Sequence, residues 1–364
     1  MDATLQPGRS RIDAHSAIRL WLYVVAALIV AIVIVGGATR LTESGLSITE
    51  WRPVLGALPP LGEAQWLAEF EKYKQIPQYS LVNRGMSLDE FKVIYWWEWG
   101  HRLLGRLIGV AFVIPFLAFW ITGKIDRVLA PRLAALLALG AAQGVLGWYM
   151  VMSGLADRVS VSQYRLAAHL TLAVVILAAV VWVALGIGRA RGKVTGSRAG
   201  WAALALLGLV LVQIAAGGFV AGLRAGMGYN TWPLIDGAIV PSGLGVMQPW
   251  WRNLFENALT VQFAHRMLAY GIAIVALANA AVLWRGPEAL RSSAMILAAA
   301  VIAQSAIGIA TLLAQVPMGL ALAHQAGGLV VVAAAVWHLH CTAVSRTSPV
   351  CHPPASRRRD RGTQ

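Results

Sequence analysis

The chain has 364 residues, of which 58% are hydrophobic and 13% charged, about half the charge of an ordinary soluble domain. With a mean hydropathy of +0.65, this composition excludes a disordered chain, argues against a soluble enzyme and reads as a polytopic membrane protein. The formal net charge of +14 suits cytoplasmic loops beside anionic lipid, so no nucleic-acid partner is inferred. Two cysteines, Cys341 and Cys351, build neither a disulfide framework nor a zinc site.

Eight stretches reach the roughly 20 apolar residues that a spanning helix needs: 18–38, 101–121, 131–152, 166–188, 200–222, 260–284, 293–315 and 319–341. The first is too long for a signal peptide, lacks an A-x-A site and runs through Gly36-Gly37 into a polar loop, so it reads as an uncleaved helix. The loop at 39–100 mixes Trp51, Trp66, Trp96, Trp97 and Trp99 with charges, and the loop at 223–259 carries Trp232, Trp250 and Trp251. Tryptophans so placed are expected in an interfacial belt. The residues from Arg346 onward, with Pro349, Pro353, Pro354, Arg357, Arg358 and Arg359, read as a disordered basic tail near anionic lipid. Lys and Arg number 17 on the side holding both termini and 10 on the other, or 17 against 4 once the long loop is set aside. Both termini are therefore expected in the cytoplasm, with the two long loops outside.

The chain also repeats itself. Gly36-Gly37 corresponds to Gly217-Gly218, and Trp51 to Trp232, at an offset of 181. EWGHR at 98–102 corresponds to QFAHR at 262–266, Gln143-Gly144 to Gln304-Ser305, and AAHL at 167–170 to LAHQ at 322–325, at offsets of 164, 161 and 155. The expected fold is an all-α membrane protein of eight transmembrane helices in two tandem four-helix bundles. The units are 1–190 and 191–345, with 346–364 as the tail. Four is an even number, so both units enter the membrane from one side. A pseudo-two-fold axis along the membrane normal relates them, unlike an inverted repeat.

Of the eight histidines, His15 and His352 lie in the tails, and His338 and His340 near an inner helix end, where solvated or interfacial positions are expected. His101, His169, His265 and His324 differ: each sits early in an even-numbered stretch, two per unit, at the outward end. Ionisable residues within a membrane are costly and usually functional. Paired histidines across a bundle core can hold haem iron by both axial positions. Gly36-Gly37, Gly217-Gly218 and Gly327-Gly328 either leave room for a macrocycle or only let helices pack closely. Zinc fits less well, because it calls for a tetrahedral set or added carboxylates. Arg102 and Arg266 each follow a histidine and either pair with propionates in a fork or snorkel to headgroups. Glu98 precedes His101 by three residues and shares its helical face, whereas the corresponding residue of the second unit is Gln262. A carboxylate there accepts a proton or stabilises a developing cation, or else is an interfacial acid; glutamine does neither chemical task. The first unit is therefore expected to do chemistry, and the second to hold a haem for electron transfer or structure.

The segments GGATRLTESGLSITEW (36–51), EWGHRLLGR (98–106), GGFVAGLRAGMGYNTWP (217–233), QFAHRM (262–267) and AHQAGG (323–328) resemble those of the haem A synthase family, over most of the chain. The resemblance implies an eight-helix oxidoreductase that converts haem O to haem A for cytochrome oxidase. The C8 methyl becomes a formyl group by successive hydroxylations. It also implies that His101 and His169 are the axial ligands of the substrate haem, that Glu98 is the essential glutamate, and that His265 and His324 ligate a haem b cofactor. Some family members carry a cysteine pair in the first outer loop. None stands here, so the chain resembles the cysteine-less proteobacterial and mitochondrial branch. Asp2 and Asp13 break any acid-poor presequence, which favours a bacterial inner membrane with the haem sites toward the periplasm. Haem O synthase, an electron acceptor and membrane lipid are the expected partners. The alternatives are a bis-histidine cytochrome b that only carries electrons, and a transporter or haem-delivery chaperone.

Overall fold

The computed structural model describes residues 7–52, 55–188 and 197–344. The expected tail, with Cys351 and His352, lies outside the described residues. Among these, the helices are α1 (Pro7–Leu41), α2 (Glu63–Tyr73), α3 (Pro77–Leu81), α4 (Leu88–Ile121), α5 (Ala130–Leu155), α6 (Gln163–Gly186), α7 (Arg198–Gly222), α8 (Asn253–Glu256), α9 (Ala258–Val282), α10 (Glu288–Leu313) and α11 (Met318–Val344). Eight of them are long and apolar enough to cross a membrane, and the described residues contain no strand beyond one isolated bridge between Ile235 and Ala238.

The largest departure from expectation is the start of α4, at Leu88 and not near residue 101. Ser87 caps it: its hydroxyl accepts from the Glu90 amide, and the Glu90 carboxylate accepts from the Ser87 amide at 2.8 Å. This capping box satisfies the first orphan amides in water, so the helix forms before the apolar run begins. His101 consequently lies in the body of α4, and its entry turns pack outside the membrane core. There Phe91, Ile94 and Tyr95 join Phe70, Tyr73, Ile76, Leu46 and Val161 in a separate aromatic-rich cluster. Phe70 stacks on Phe91 at 4.9 Å. The Tyr73 hydroxyl accepts from Asn83 at 2.7 Å, and burial pushes its phenol above the ordinary range. The cluster holds the segment after α1 firmly against α4.

In the main core, α1 packs on α4 and α6, α5 on α6, α7 on α9 and α11, and α10 on α9 and α11, while α6 meets α7 and α11. Helices α1, α6, α7 and α11 thus line the seam between two sets of four, as tandem bundles require. Pro115 interrupts α4. It has no amide to offer the Ala111 carbonyl, which instead accepts from the Trp21 indole at 2.8 Å and ties α1 to α4. The Glu43–Arg224 ion pair at 2.5 Å and the hydrogen bond from Arg40 to the Ala221 carbonyl at 3.2 Å each join residues 181 apart. Equivalent residues meeting one another is what a two-fold axis between the halves produces.

His338 and His340 contradict the expectation of solvated or interfacial side chains. Both are buried: His338 faces α9 and α10 of its own half, and His340 faces α6 across the seam. The His338 ring lies between Asn279 at 3.0 Å and Ser293 at 2.9 Å, and His340 lies edge-on to Trp182. A buried imidazole needs such partners.

Candidate functional site

Glu98, His101 and Arg102 stand on α4, His169 on α6, His265 and Arg266 on α9, and His324 on α11. His101 and His169 lie within electrostatic reach of one another, as do His265 and His324. All four are half-buried, yet the Nδ1 atoms of His101, His169 and His265 are buried without a hydrogen-bond partner. Among the described residues, no group of three or more His, Cys, Asp or Glu could hold a metal ion. Each pair therefore stands as two imidazoles from two helices.

Each ring is seated against a glycine of a neighbouring helix. A Cβ at Gly36 (α1) would lie 2.8 Å from His101 Cε1. The corresponding distances are 2.9 Å for Gly147 (α5) and His169, 3.2 Å for Gly217 (α7) and His265, and 2.6 Å for Gly308 (α10) and His324. At Gly36, Gly147 and Gly308 contacts that short force something to move, while at Gly217 the ring need give by only a few tenths of an ångström. The second glycines of the first two doublets serve packing: a Cβ at Gly218 would meet the Ala167 backbone at 2.8 Å, and one at Gly37 the Gln325 side chain. In the third doublet Gly327 faces Gln304 and Gly328 faces Ile214. The first two doublets thus admit imidazoles and close neighbours, and the third only neighbours. Gly147 and Gly308 were not anticipated, because a lone glycine in an apolar helix carries no signal.

Glu98 is 2% exposed. One carboxylate oxygen accepts from the Ser47 hydroxyl and the Ile48 amide, both at 2.8 Å. The other accepts from Arg102 at 2.5 Å. Arg102 also donates to the carbonyls of Ile48 at 2.7 Å and Glu50 at 2.9 Å. The second half repeats this: Arg266 donates to Gln262 Oε1 at 2.8 Å and to the carbonyls of Tyr229 at 3.0 Å and Thr231 at 2.8 Å. Tyr229 and Thr231 stand 181 residues after Ile48 and Glu50. The two arginines are thus turned first to loop carbonyls and not to headgroups. A guanidinium has five donors, and Arg266 Nε remains buried and unpaired. Gln262 Nε2, by contrast, donates to the carbonyls of Ala225 at 2.8 Å and Tyr229 at 3.0 Å. The loop facing Glu98 offers donors, and the loop facing Gln262 offers acceptors.

Three glutamines also reach the histidines: Gln143, Gln213 and Gln304 each donate to the main-chain carbonyl of His169, His265 and His324. Of the three, Gln143 and Gln304 are legible in the sequence as a repeat landmark.

Fold and side chains together define a polytopic α-helical membrane protein with, in each half, two histidines within electrostatic reach of one another. Residues 19–336 match the COX15-CtaA family of cytochrome oxidase assembly proteins, and the chain belongs to that family. It is 56% identical to a protein of Parvibaculum lavamentivorans named heme A synthase, over 90% of this chain and 94% of that one. Relatives of the same name from Azorhizobium caulinodans and Brucella suis are 57% and 52% identical, covering 88% and 92% of this chain and 93% and 94% of theirs.

Proposed function

We propose that the chain carries out the reaction its relatives are named for: haem A synthesis, in which the C8 methyl of haem O is oxidised to a formyl group for cytochrome oxidase. Unit 1–190 takes haem O between His101 and His169, and unit 191–345 holds a haem b between His265 and His324. The observation that carries this reading is the twice-repeated pair of neighbouring imidazoles, each seated on a glycine, with a carboxylate on the helix of only one pair. Buried Nδ1 atoms without partners support it, because an imidazole that gives one nitrogen to iron leaves the other as a donor seeking an acceptor. Two imidazoles from separate helices would hold the iron of a haem in each half. A haem b bound at the second pair supplies one-electron transfer.

The protein's own groups then divide the work. His101 and His169 orient the substrate, and the fixed helix positions set which edge of it faces Glu98. Both Glu98 oxygens already accept hydrogen bonds from Ser47, Ile48 and Arg102. A carboxylate held that way is better suited to serve as a fixed counter-charge to a developing cation than to collect a proton. The spare guanidinium donors, Arg266 Nε among them, are those a propionate would use. Haem O carries a farnesyl tail, so entry from lipid suits a site between membrane helices. A bacterial inner membrane, cytoplasmic termini and periplasm-facing pairs complete the reading, with haem O synthase as supplier and a separate electron acceptor.

Co-expression with a haem O source, followed by pigment extraction, tests this. Glu98→Ala is expected to retain haem while haem A output falls by about 10²–10³, the usual cost of losing one electrostatic contact to a transition state. Undiminished haem A would refute the assignment. His265→Ala or His324→Ala is expected to deplete haem b from the purified protein, and unchanged haem content would count against those ligands.

A further inference from the structure

The four histidine seats share one geometry, with one exception. On α5, α7 and α10 a glutamine stands four residues before the seating glycine: Gln143 before Gly147, Gln213 before Gly217 and Gln304 before Gly308. Each donates through Nε2 to the carbonyl of the facing histidine, at 3.0 Å to His169, 3.1 Å to His265 and 2.7 Å to His324. The same nitrogen lies 3.4 and 3.3 Å from Nε2 of His169 and His265, and 3.0 Å from Nδ1 of His324. Backbone and ring are thus clamped by one amide, which fixes χ1 and the height of the imidazole. The Oε1 atoms of all three glutamines are buried and lack a donor, while His169 and His265 hold a buried Nδ1 without a partner.

On α1 the corresponding residue is Ile32, four before Gly36 and 181 before Gln213. It has no amide. Its Cδ1 instead packs toward α4, where a Cβ at Gly105 would meet it at 3.5 Å. The Nδ1 atom of His101 is buried without a hydrogen-bond partner, and among the described residues no side chain donates to the His101 carbonyl. The least restrained of the four imidazoles therefore belongs to the pair beside Glu98.

Resting on the proposed haem assignment, we propose that Gln143, Gln213 and Gln304 are positioning residues that lock His169, His265 and His324, and that His101 is the ligand that detaches when the porphyrin at the first pair is exchanged. A resident cofactor needs two firm ligands, whereas a substrate that must leave as product needs one that lets go. The three clamped histidines and the single free one follow that division.

The test is carbon monoxide binding to the reduced, haem-loaded protein, because CO enters only where an axial ligand has left. In the unaltered protein, CO is expected at one haem, the one whose low-spin signal is lost in His101→Ala. Ile32→Gln, which copies the second half's residue into the first, is expected to slow that binding roughly fivefold, the factor that one neutral hydrogen bond carries, with haem content unchanged. Gln304→Leu is expected to make the second haem reactive to CO, while Gln304→Glu, which keeps an acceptor oxygen but loses the amide donor, is expected to restore only part of the protection. Equal CO binding at both haems, or no change of rate in Ile32→Gln, would overturn the inference while leaving the haem reading intact. Absence of any low-spin haem in the unaltered protein would instead overturn the haem reading, and this inference with it.

Discussion

Glu98 and Gln262 occupy equivalent positions and share an equivalent arginine, yet each is matched to a loop of opposite polarity. Ser47 and Ile48 donate to Glu98, whereas Ala225 and Tyr229 accept from Gln262. The difference is therefore built into two segments and not into one side chain. Gln262→Glu should place a carboxylate oxygen against two carbonyls, costing about 1–3 kcal/mol as an unsatisfied buried pair. It should confer no second catalytic site. Thermal unfolding in detergent checks the first point: an unchanged midpoint would mean that the Gln262 contacts hold nothing. The acid itself was legible in the sequence, because Glu and Gln stand in otherwise matching motifs. Its donors were not. A main-chain amide at Ile48 and main-chain carbonyls at Tyr229 and Thr231 carry no residue signature.

At the scale of helices, hydropathy located all eight spans but misplaced the start of α4. The apolar run begins near residue 101, whereas the helix begins at Leu88 because Ser87 and Glu90 close a capping box. Ser-x-x-Glu was readable, but charges and aromatics diluted the apolar signal around it. The seats of the histidines were half legible. Doubled glycines at 36 and 217 stood out; Gly147 and Gly308 did not, although their contacts are equally close. Gly308→Ala puts a methyl group 2.6 Å from His324 Cε1, so α10 and α11 must part or the ring must turn. Retained haem at the second pair is expected to fall severalfold. Gly208→Ala, on α7 with nothing within 4 Å, is the matched control and should be neutral or slightly stabilising. Equal haem retention in the two variants would show that the glycine seat is dispensable. His338 teaches the converse lesson. Its position near a helix end suggests exposure, but packing of α11 on α9 and α10 buries it, and Asn279 and Ser293 satisfy its ring.

Across the whole molecule, the offset of 181 read from glycines and tryptophans reappears as contacts. Glu43 and Arg224 both turn through the left-handed region, at φ 57° and 51°, and pair with each other. The repeat was legible because both halves must place the same side chains on the same helix faces. The seam was not, because sequence says nothing of which helices meet between units. The pair is partly exposed, so its coupling is expected to be about 1 kcal/mol or less. Glu43→Arg alone also sets a third positive charge beside Arg40, and the combined Glu43→Arg/Arg224→Glu exchange should recover most of the lost thermal midpoint. No recovery in the double variant would contradict a direct contact across the axis.

The division of the chain into two bis-imidazole sites is tested most directly by low-temperature electron paramagnetic resonance of the oxidised, purified protein co-expressed with a haem O source. Two low-spin ferric signals are expected, one abolished by substituting His169 and the other by substituting His324, each leaving its neighbour intact. A single signal, or one that survives both substitutions, would contradict the account.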